Sequence, residues 1–396
     1  MPCDICMIVH NDITHDSRVN REAATLTNQG WQVTIVCIVL ADTGMPAAEI
    51  VNGYTVIRVS PGWGRGAALK TVGKIIRLLL AIPALLIQVR KTRARVIHAH
   101  DFIGLVLAAL AGIWRRPVVY DSHELFFDRW AADSKYRLRR VIQWVRPIEK
   151  MLAPRAAAVI TVSYESAQIM QSAMSLRNVV PILNGVDLRR REPAAVTYDT
   201  GGRTTIVHSG YLLPGRHLDE MVKSLNYLPD DIALVLMGKG PLSEHLAELA
   251  AHLNVQDRFF IVPPVPPMSV ANTLTQADAG IVLVASDTLH RDTTVPNKFL
   301  EAVAAGLPLV CGRTIALAAA MNRYDLGVIC DPTDPAQIAA AVSQVLDPAN
   351  YARYKANALH AREELNWAVE EKKLIELYQN LLGKPGVLPG DTAAVG

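Results

Sequence analysis

The chain has 396 residues, of which 51% are hydrophobic and 19% charged. This length suits two domains of moderate size, and the composition excludes an intrinsically disordered chain. The net charge of +3 is unevenly spread: residues 64–155 hold 18 Lys and Arg against six Asp and Glu, a basic belt of the kind that meets a partner surface.

In the first half, apolar strands are predicted at 4–10, 32–39, 55–59, 96–99, 118–121 and 158–162, with helices between them. The helix at 17–29 is the best marked. Asp16 can cap it, Ala23, Ala24 and Leu26 supply apolar positions, and Gly30 ends it. Strands rich in Val and Ile that alternate with helices read as a parallel sheet covered on both faces. Cys3 and Cys6 form a C-x-x-C that no second Cys or His pair answers. They read as small residues of an apolar strand, not as a zinc or redox site. Reduced thiols and an N-terminus without a basic leader predict a cytoplasmic protein.

Hydrophobicity peaks at 78–89, a run too short to span a bilayer and interrupted by Pro83. Lys70, Lys74, Arg77, Arg90, Lys91, Arg93 and Arg95 flank it, and 135–146 is a second basic stretch. Two readings stand level: contact with an anionic membrane surface, and plain solvated helix faces. Nucleic acid is not expected, because no recognition motif accompanies the charge.

The polar stretch 187–203, with Pro193, Gly201 and Gly202, reads as a linker. The α/β pattern then restarts. Strands are predicted at 205–209, 233–237, 259–262, 280–284 and 309–311, and helices at 218–228, 242–252 and 296–306. A final helix at 367–382 precedes a Pro-, Gly- and Ala-containing tail that is expected to be mobile. Two doubly wound halves of similar size predict a cleft between them.

Four constellations can carry chemistry. Thr294, Val295, Asn297 and Lys298 surround the start of a helix that opens at Pro296 and closes at Gly306. Free N–H groups and a positive dipole end suit a diphosphate there. Glu301, further along, can accept hydrogen bonds from ribose hydroxyls; the plain alternative is a capped helix with a solvated Glu. The loop from Gly210 to Arg216 follows a strand, and a guanidinium at its end can grip two phosphate oxygens and stabilise a departing diphosphate. His98-Ala-His-Asp101 and Asp121-Ser-His-Glu124 end neighbouring strands. A His there can bond a sugar hydroxyl or transfer a proton. The opening loop, from His10 to Arg18, lacks G-x-G-x-x-G, so a dinucleotide cofactor is not expected. Gly-rich 62–66 is not such a turn. Neither a P-loop nor H-E-x-x-H spacing occurs.

The order and spacing of these pieces resemble glycosyltransferase family 4 over roughly residues 5–382. The resemblance is carried by His15-Asp-Ser-Arg-Val-Asn-Arg-Glu-Ala, His98-Ala-His-Asp, Tyr120-Asp-Ser-His-Glu and Val159-Ile-Thr-Val-Ser. Leu183-Asn-Gly-Val-Asp, Met237-Gly-Lys-Gly-Pro and Glu301-Ala-Val-Ala-Ala-Gly-Leu-Pro complete it. It implies a GT-B fold: two Rossmann-like domains facing a central cleft, with a C-terminal helix crossing back to the first. The implied divisions are an acceptor domain at 1–190, a nucleotide-sugar domain at 203–365, a crossover helix at 366–383 and a mobile tail at 384–396.

The resemblance further implies a retaining, metal-independent transferase with no cofactor. Its donor would be a UDP- or GDP-linked sugar, and its acceptor a hydroxyl of a glycan, lipid-linked or small molecule. Glu301 then matches the ribose-binding Glu, Arg216 the diphosphate cation and His123 the His beside the transferred sugar. Lys298, Asn297, Thr294, Val295 and Gly210 fall on the donor side, and Gly240 and Val262 where the base is placed. Asp16, Arg18, His100 and Glu124 fall on the acceptor and sugar side. Two departures stand out. Thr293 replaces the first Glu of E-x7-E, and Tyr211 stands where many members carry a second cation. A non-hydrolysing nucleotide-sugar epimerase and a degenerate binding or assembly partner are the alternatives.

Overall fold

The computed structural model describes residues 3–14, 16–39, 44–60, 71–112, 115–126 and 145–383. His15, the Gly-rich 62–66, Lys70, most of the basic stretch 135–146 and the tail lie outside them, as do the side chains of 71–79. The chain folds as two compact units. One takes Met1–Val162, Ser166–Ile182 and Glu371–Gly396; the other takes Ser163–Glu165 and Leu183–Glu370.

The described elements of the first unit are β1 (Ile5–Val9), α1 (Ser17–Asn28), β2 (Val33–Ile38), β3 (Ala48–Val51), β4 (Tyr54–Val59), α2 (Thr71–Lys91), β5 (Val96–His100), α3 (Asp101–Leu110), β6 (Val118–Ser122), α4 (Val145–Leu152), β7 (Ala158–Thr161), α5 (Tyr164–Met174) and β8 (Val179–Pro181). The strands form one sheet in the order β3-β4-β2-β1-β5-β6-β7-β8. Only β3 runs antiparallel, against β4. β1 and β2 are buried along their whole length, as a sheet covered on both faces requires. The Asp16 carboxylate accepts from the Val19 N–H and starts α1; Gly30, at φ 95°, turns the chain after it. Along α2, Ala81, Leu85 and Val89 enter the core while Leu80 and Ile87 face solvent. No described helix is long and apolar enough to cross a membrane.

The second unit contains β9 (Thr204–Ser209), α6 (Leu218–Ser224), β10 (Ile232–Met237), α7 (Ser243–His252), β11 (Phe259–Val262), α8 (Val270–Leu274), β12 (Ala279–Val282), α9 (Leu289–Thr293), α10 (Asn297–Ala304), β13 (Leu309–Gly312), α11 (Ile315–Tyr324), β14 (Gly327–Cys330), α12 (Pro335–Leu346) and α13 (Pro348–Glu364). The sheet order β11-β10-β9-β12-β13-β14 is wholly parallel. It is the Rossmann order, with its switch point between β9 and β12. The first sheet has the corresponding point between β1 and β5.

The polar stretch 187–203 is not where the chain changes unit. Leu183 already packs against Val295 and Phe299 in the second unit's core. Its N–H donates to Glu370 (3.0 Å), and Val186 bridges Asn366. The polar residues that follow are a strap along the second unit: the Glu192 carbonyl accepts from Asn272, and the Val196 carbonyl from Gln276. The last helix, α14 (Trp367–Leu382), begins in the second unit and ends in the first.

Candidate active site

In the first unit, the ends of β5 and β6 and the start of α1 bring together Arg18, Glu22, His98, His100, Asp101, Asp121 and His123. Arg18 Nε donates to Asp121 Oδ2 (2.9 Å) and Nη2 to Oδ1 (3.0 Å), a two-pronged grip. Its Nη1 donates to the Ile182 carbonyl (2.9 Å), and Nε lies 3.0 Å from Glu22. His123 Nε2 donates to Asp121 Oδ2 (3.1 Å), while its Nδ1 lies 3.6 Å from Asp101. His100 Nδ1 is 3.2 Å from His123 Nε2. His98 stacks on His100 at 4.1 Å, and its Nδ1 pairs with Tyr378 Oη (2.8 Å) from α14.

Burial lowers the His123 imidazole, but Asp101 and Asp121 outweigh it and raise it to about 9. His123 is therefore an imidazolium at neutral pH. It is a charged hydrogen-bond donor, not a base ready to take a proton. His100 is the opposite case: burial, helped by His98, lowers it to about 3. Burial would raise Asp121, but Arg18 and His123 hold it well below the usual carboxylate range. Burial pushes Glu22 up to about 8 against the pull of Arg18. Two residues here adopt left-handed backbone, Ile13 (φ 60°) after β1 and Asp101 (φ 61°) at the start of α3. A β-branched residue there is strained by roughly 1–3 kcal/mol, a feature common beside functional sites.

Glu22, His98, His100 and Asp121 could geometrically approach one ion, since their ligand atoms lie within 4.8 Å of one another. The Arg18 guanidinium already sits on both carboxylates. A metal ion would meet that fixed positive charge, so the group reads as a charge-balanced brace.

Two residues expected on the acceptor side are buried. Arg18 is 5% exposed and His100 fully buried. Arg18 bonds Asp121 and the Ile182 carbonyl and pairs with Glu22, and His100 faces His123 and Asp121, so both brace that pair. Asp16 is the α1 cap, braced by Asn11 (2.9 Å). The Glu124 carbonyl accepts from Ser122 (2.7 Å).

In the second unit, the loop after β9 meets the start of α10. Gly210 lies at φ 125°, and a Cβ there would sit 3.3 Å from Arg216 Nη1 and 3.8 Å from Lys298 Nζ. Both cationic heads thus converge on one bare stretch of backbone. Among the described residues neither forms a salt bridge. Lys298 donates to His208 Nε2 (3.3 Å). Burial, with Arg216 beside it, lowers Lys298 to about 7, while Glu301 pulls the other way. Glu301 accepts from Ser209 Oγ (3.1 Å), and burial raises its carboxyl.

The other donor-side residues divide. Thr294 pairs with His290 (3.2 Å), and Asn297 is exposed at the start of α10. The Val295 side chain is spent in the core beside Phe299, so it offers a ligand only backbone. The Val262 carbonyl accepts from the Gly238 N–H. A Cβ on Gly240 would lie 2.2 Å from the Leu212 carbonyl oxygen, so this glycine lets two loops touch. Thr293 is buried, and its hydroxyl donates to the Leu289 carbonyl (2.8 Å). Sequence reasoning passed over Glu22, His208 and Ser209. Glu22 was visible as the i+4 partner of Arg18, and His208 as a polar interruption of an apolar strand.

Two Rossmann-like units, one with a carboxylate-poor pair of cations at its switch point, define a nucleotide-binding α/β enzyme. The family model described as Glycosyltransferase Family 4 matches residues 17–190, and the one described as Glycosyl transferases group 1 matches 195–361. The chain belongs to glycosyltransferase family 4. It is 26% identical to glycogen synthase of Mycobacterium tuberculosis over 304 residues, 73% of this chain and 69% of that one. It is 24% identical to D-inositol 3-phosphate glycosyltransferase of Xylanimonas cellulosilytica over 379 residues, 89% of this chain and 88% of that one.

Sucrose-phosphate synthase from Thermosynechococcus elongatus has the same fold (TM-score 0.76, 16% identity, 96% of this chain, 99% of that one). So does Anabaena HepE, solved with UDP and glucose (TM-score 0.69, 16% identity, 96% of this chain, 100% of that one). The expected GT-B class and nucleotide-sugar glycosyl transfer are therefore shown, and the epimerase and binding-partner alternatives gain no support.

Proposed function

We propose that the second unit holds the diphosphate of a UDP- or GDP-sugar and that the sugar passes to a hydroxyl with retention at the anomeric carbon, without a bound metal. The observation that carries this is the convergence of Arg216 and Lys298 on Gly210, with no salt-bridge partner on either among the described residues. As the bond to the sugar breaks, negative charge grows on the leaving diphosphate, and preplaced cations stabilise it there. Lys298 supplies the second cation that Tyr211 does not. Glu301, oriented by Ser209, accepts from ribose hydroxyls. Thr293 has no free hydroxyl proton for the sugar. The acceptor hydroxyl, on a glycan, a lipid-linked or a small molecule, attacks from the face the diphosphate leaves, and its proton passes to the departing phosphate oxygen. His123, as an imidazolium, donates to a sugar oxygen.

Thermal melting with UDP-glucose and GDP-mannose tests the reading, because ligand binding to the folded state raises the midpoint. A rise for the parent protein that Arg216→Met and Glu301→Ala abolish is expected. No rise with any nucleotide sugar refutes it.

We further propose that the protein works in the cytoplasm, against an anionic membrane surface. Arg90, Lys91 and Arg93, with Ile87, line an open groove of about 500 Å³ at the end of α2. Exposed Ile87 sits beside this charge, and exposed Leu80 lies further back along α2, as on interfacial helices. Salt-sensitive pelleting with phosphatidylserine vesicles, weakened by Ile87→Asp, is expected; no pelleting at low salt refutes it.

A further inference from the structure

His208 is an unusual residue for its place. It is fully buried near the end of β9, a central strand of the second sheet, where its neighbours Ile206 and Val207 are apolar. A buried imidazole needs partners for both nitrogens. Its Nδ1 lies 3.0 Å from the Ile281 carbonyl on β12. A carbonyl only accepts, so Nδ1 carries the proton and donates to it. The tautomer is thereby settled: Nε2 holds a lone pair. That lone pair faces Lys298 Nζ at 3.3 Å. Burial, with Lys298 opposite, keeps His208 well below its ordinary value and therefore neutral.

We propose that His208 is a positioning residue: its Nε2 lone pair tethers the Lys298 amine beside Arg216, so that a nucleotide diphosphate binds together with a proton that Lys298 takes up. This rests on the donor-site reading above.

The groups that face Lys298 support the linkage. Arg216, from the loop after β9, repels a charged Lys298; Glu301, one turn along α10, attracts it; His208 accepts from it. Arg291, from α9, in turn faces Arg216. One carboxylate, Glu301, faces the two cations Lys298 and Arg216, and Lys298 sits near the midpoint of its titration, at about 7. An arriving diphosphate adds negative charge. The amine lone pair then takes a proton from solvent, and the ammonium donates to phosphate oxygen while keeping its bond to His208. No other bond changes.

Calorimetry of UDP-glucose and GDP-mannose, in two buffers of different ionisation enthalpy, counts protons taken up on binding. These diphosphate diesters do not titrate near neutrality. With Lys298 at about 7, about half a proton is expected at pH 7 and about nine-tenths at pH 8. His208→Leu, checked for folding by thermal melting, should weaken binding about tenfold at pH 6.5, the scale of one charge-assisted hydrogen bond. His208→Gln restores an acceptor and should recover most of the affinity, while Lys298→Met should abolish proton uptake. Binding by the parent protein without proton uptake, or equal affinity in His208→Leu, overturns the assignment of His208 alone. Failure of the parent protein to bind either sugar nucleotide overturns the donor-site reading and this inference with it.

Discussion

Replacing His123 by Gln tests the charge state on which the first unit's chemistry turns. The imidazole is raised from an ordinary 6.5 to about 9 by Asp101 and Asp121, which outweigh its burial. A group whose folded value exceeds its unfolded one stabilises the fold in full below the unfolded value. That stabilisation is lost as pH rises through the folded value. The window is therefore about 6.5 to 9, and a gap of that size corresponds to about 3 kcal/mol. Gln keeps a neutral donor but not the charge. His123→Gln should be less stable than the parent protein by up to about 3 kcal/mol at pH 6, and equal to it at pH 10. Urea unfolding at pH 6, 8 and 10 measures the convergence, and an NMR titration of the imidazole measures its cause. A stability offset constant with pH, or an imidazole that titrates near its ordinary value, refutes the reasoning. Activity follows the same charge: it should decline above about pH 9, not below neutrality as with a His general base.

Arg18→Met leaves Asp121 and Glu22 buried without their shared cation; a loss of about 3–5 kcal/mol is expected in urea unfolding. Gly240→Ala drives a Cβ to 2.2 Å from the Leu212 carbonyl oxygen, so the two loops must part; about 1–3 kcal/mol of destabilisation and weaker sugar-nucleotide binding should follow. Tyr211→Arg, at a 54% exposed position, should leave stability within about 0.5 kcal/mol of the parent and tighten sugar-nucleotide binding at low salt. The gain should shrink as salt is added, since screening weakens an exposed charge.

The parts of the fold that were legible in the sequence are those set by local chemistry. Largely apolar runs marked β1, β2 and β10, and their buried faces follow from them. Asp16, Gly30 and Gly306 marked helix ends because capping and left-handed backbone are one-residue properties. β3 escaped because it is an edge strand of alternating exposed and half-buried residues, where Ile50 is 76% exposed. α12 went unnamed because its run of Ala blurs the helical period, and α13 because isolated Ala among polar residues leave no clear apolar stripe. Depth was the larger gap. A sequence shows that Arg18 is charged, not that Asp121, Glu22 and Ile182 enclose it. It shows Leu183 beside a polar stretch, not the core of the other unit that receives it.

Charge balance within each unit argues for which substrate each one takes. In the first unit the cations Arg18 and His123 face Asp121, Asp101 and a largely protonated Glu22. Every charge there has a partner, and an added anion would gain little. Such a site suits neutral hydroxyls, which need fixed donors and acceptors and no net field. In the second unit Arg216 and Lys298 lie near Glu301, with Arg291 facing Arg216, and burial together with the neighbouring Arg216 makes Lys298 lose its proton more readily. That imbalance costs stability, since two like charges are held close in a half-buried place. A diphosphate relieves it and a neutral sugar cannot. The proposed binding of donor to the second unit and acceptor to the first thus draws on an electrostatic deficit found, among the described residues, beside Arg216 and Lys298 and not beside Arg18 and His123.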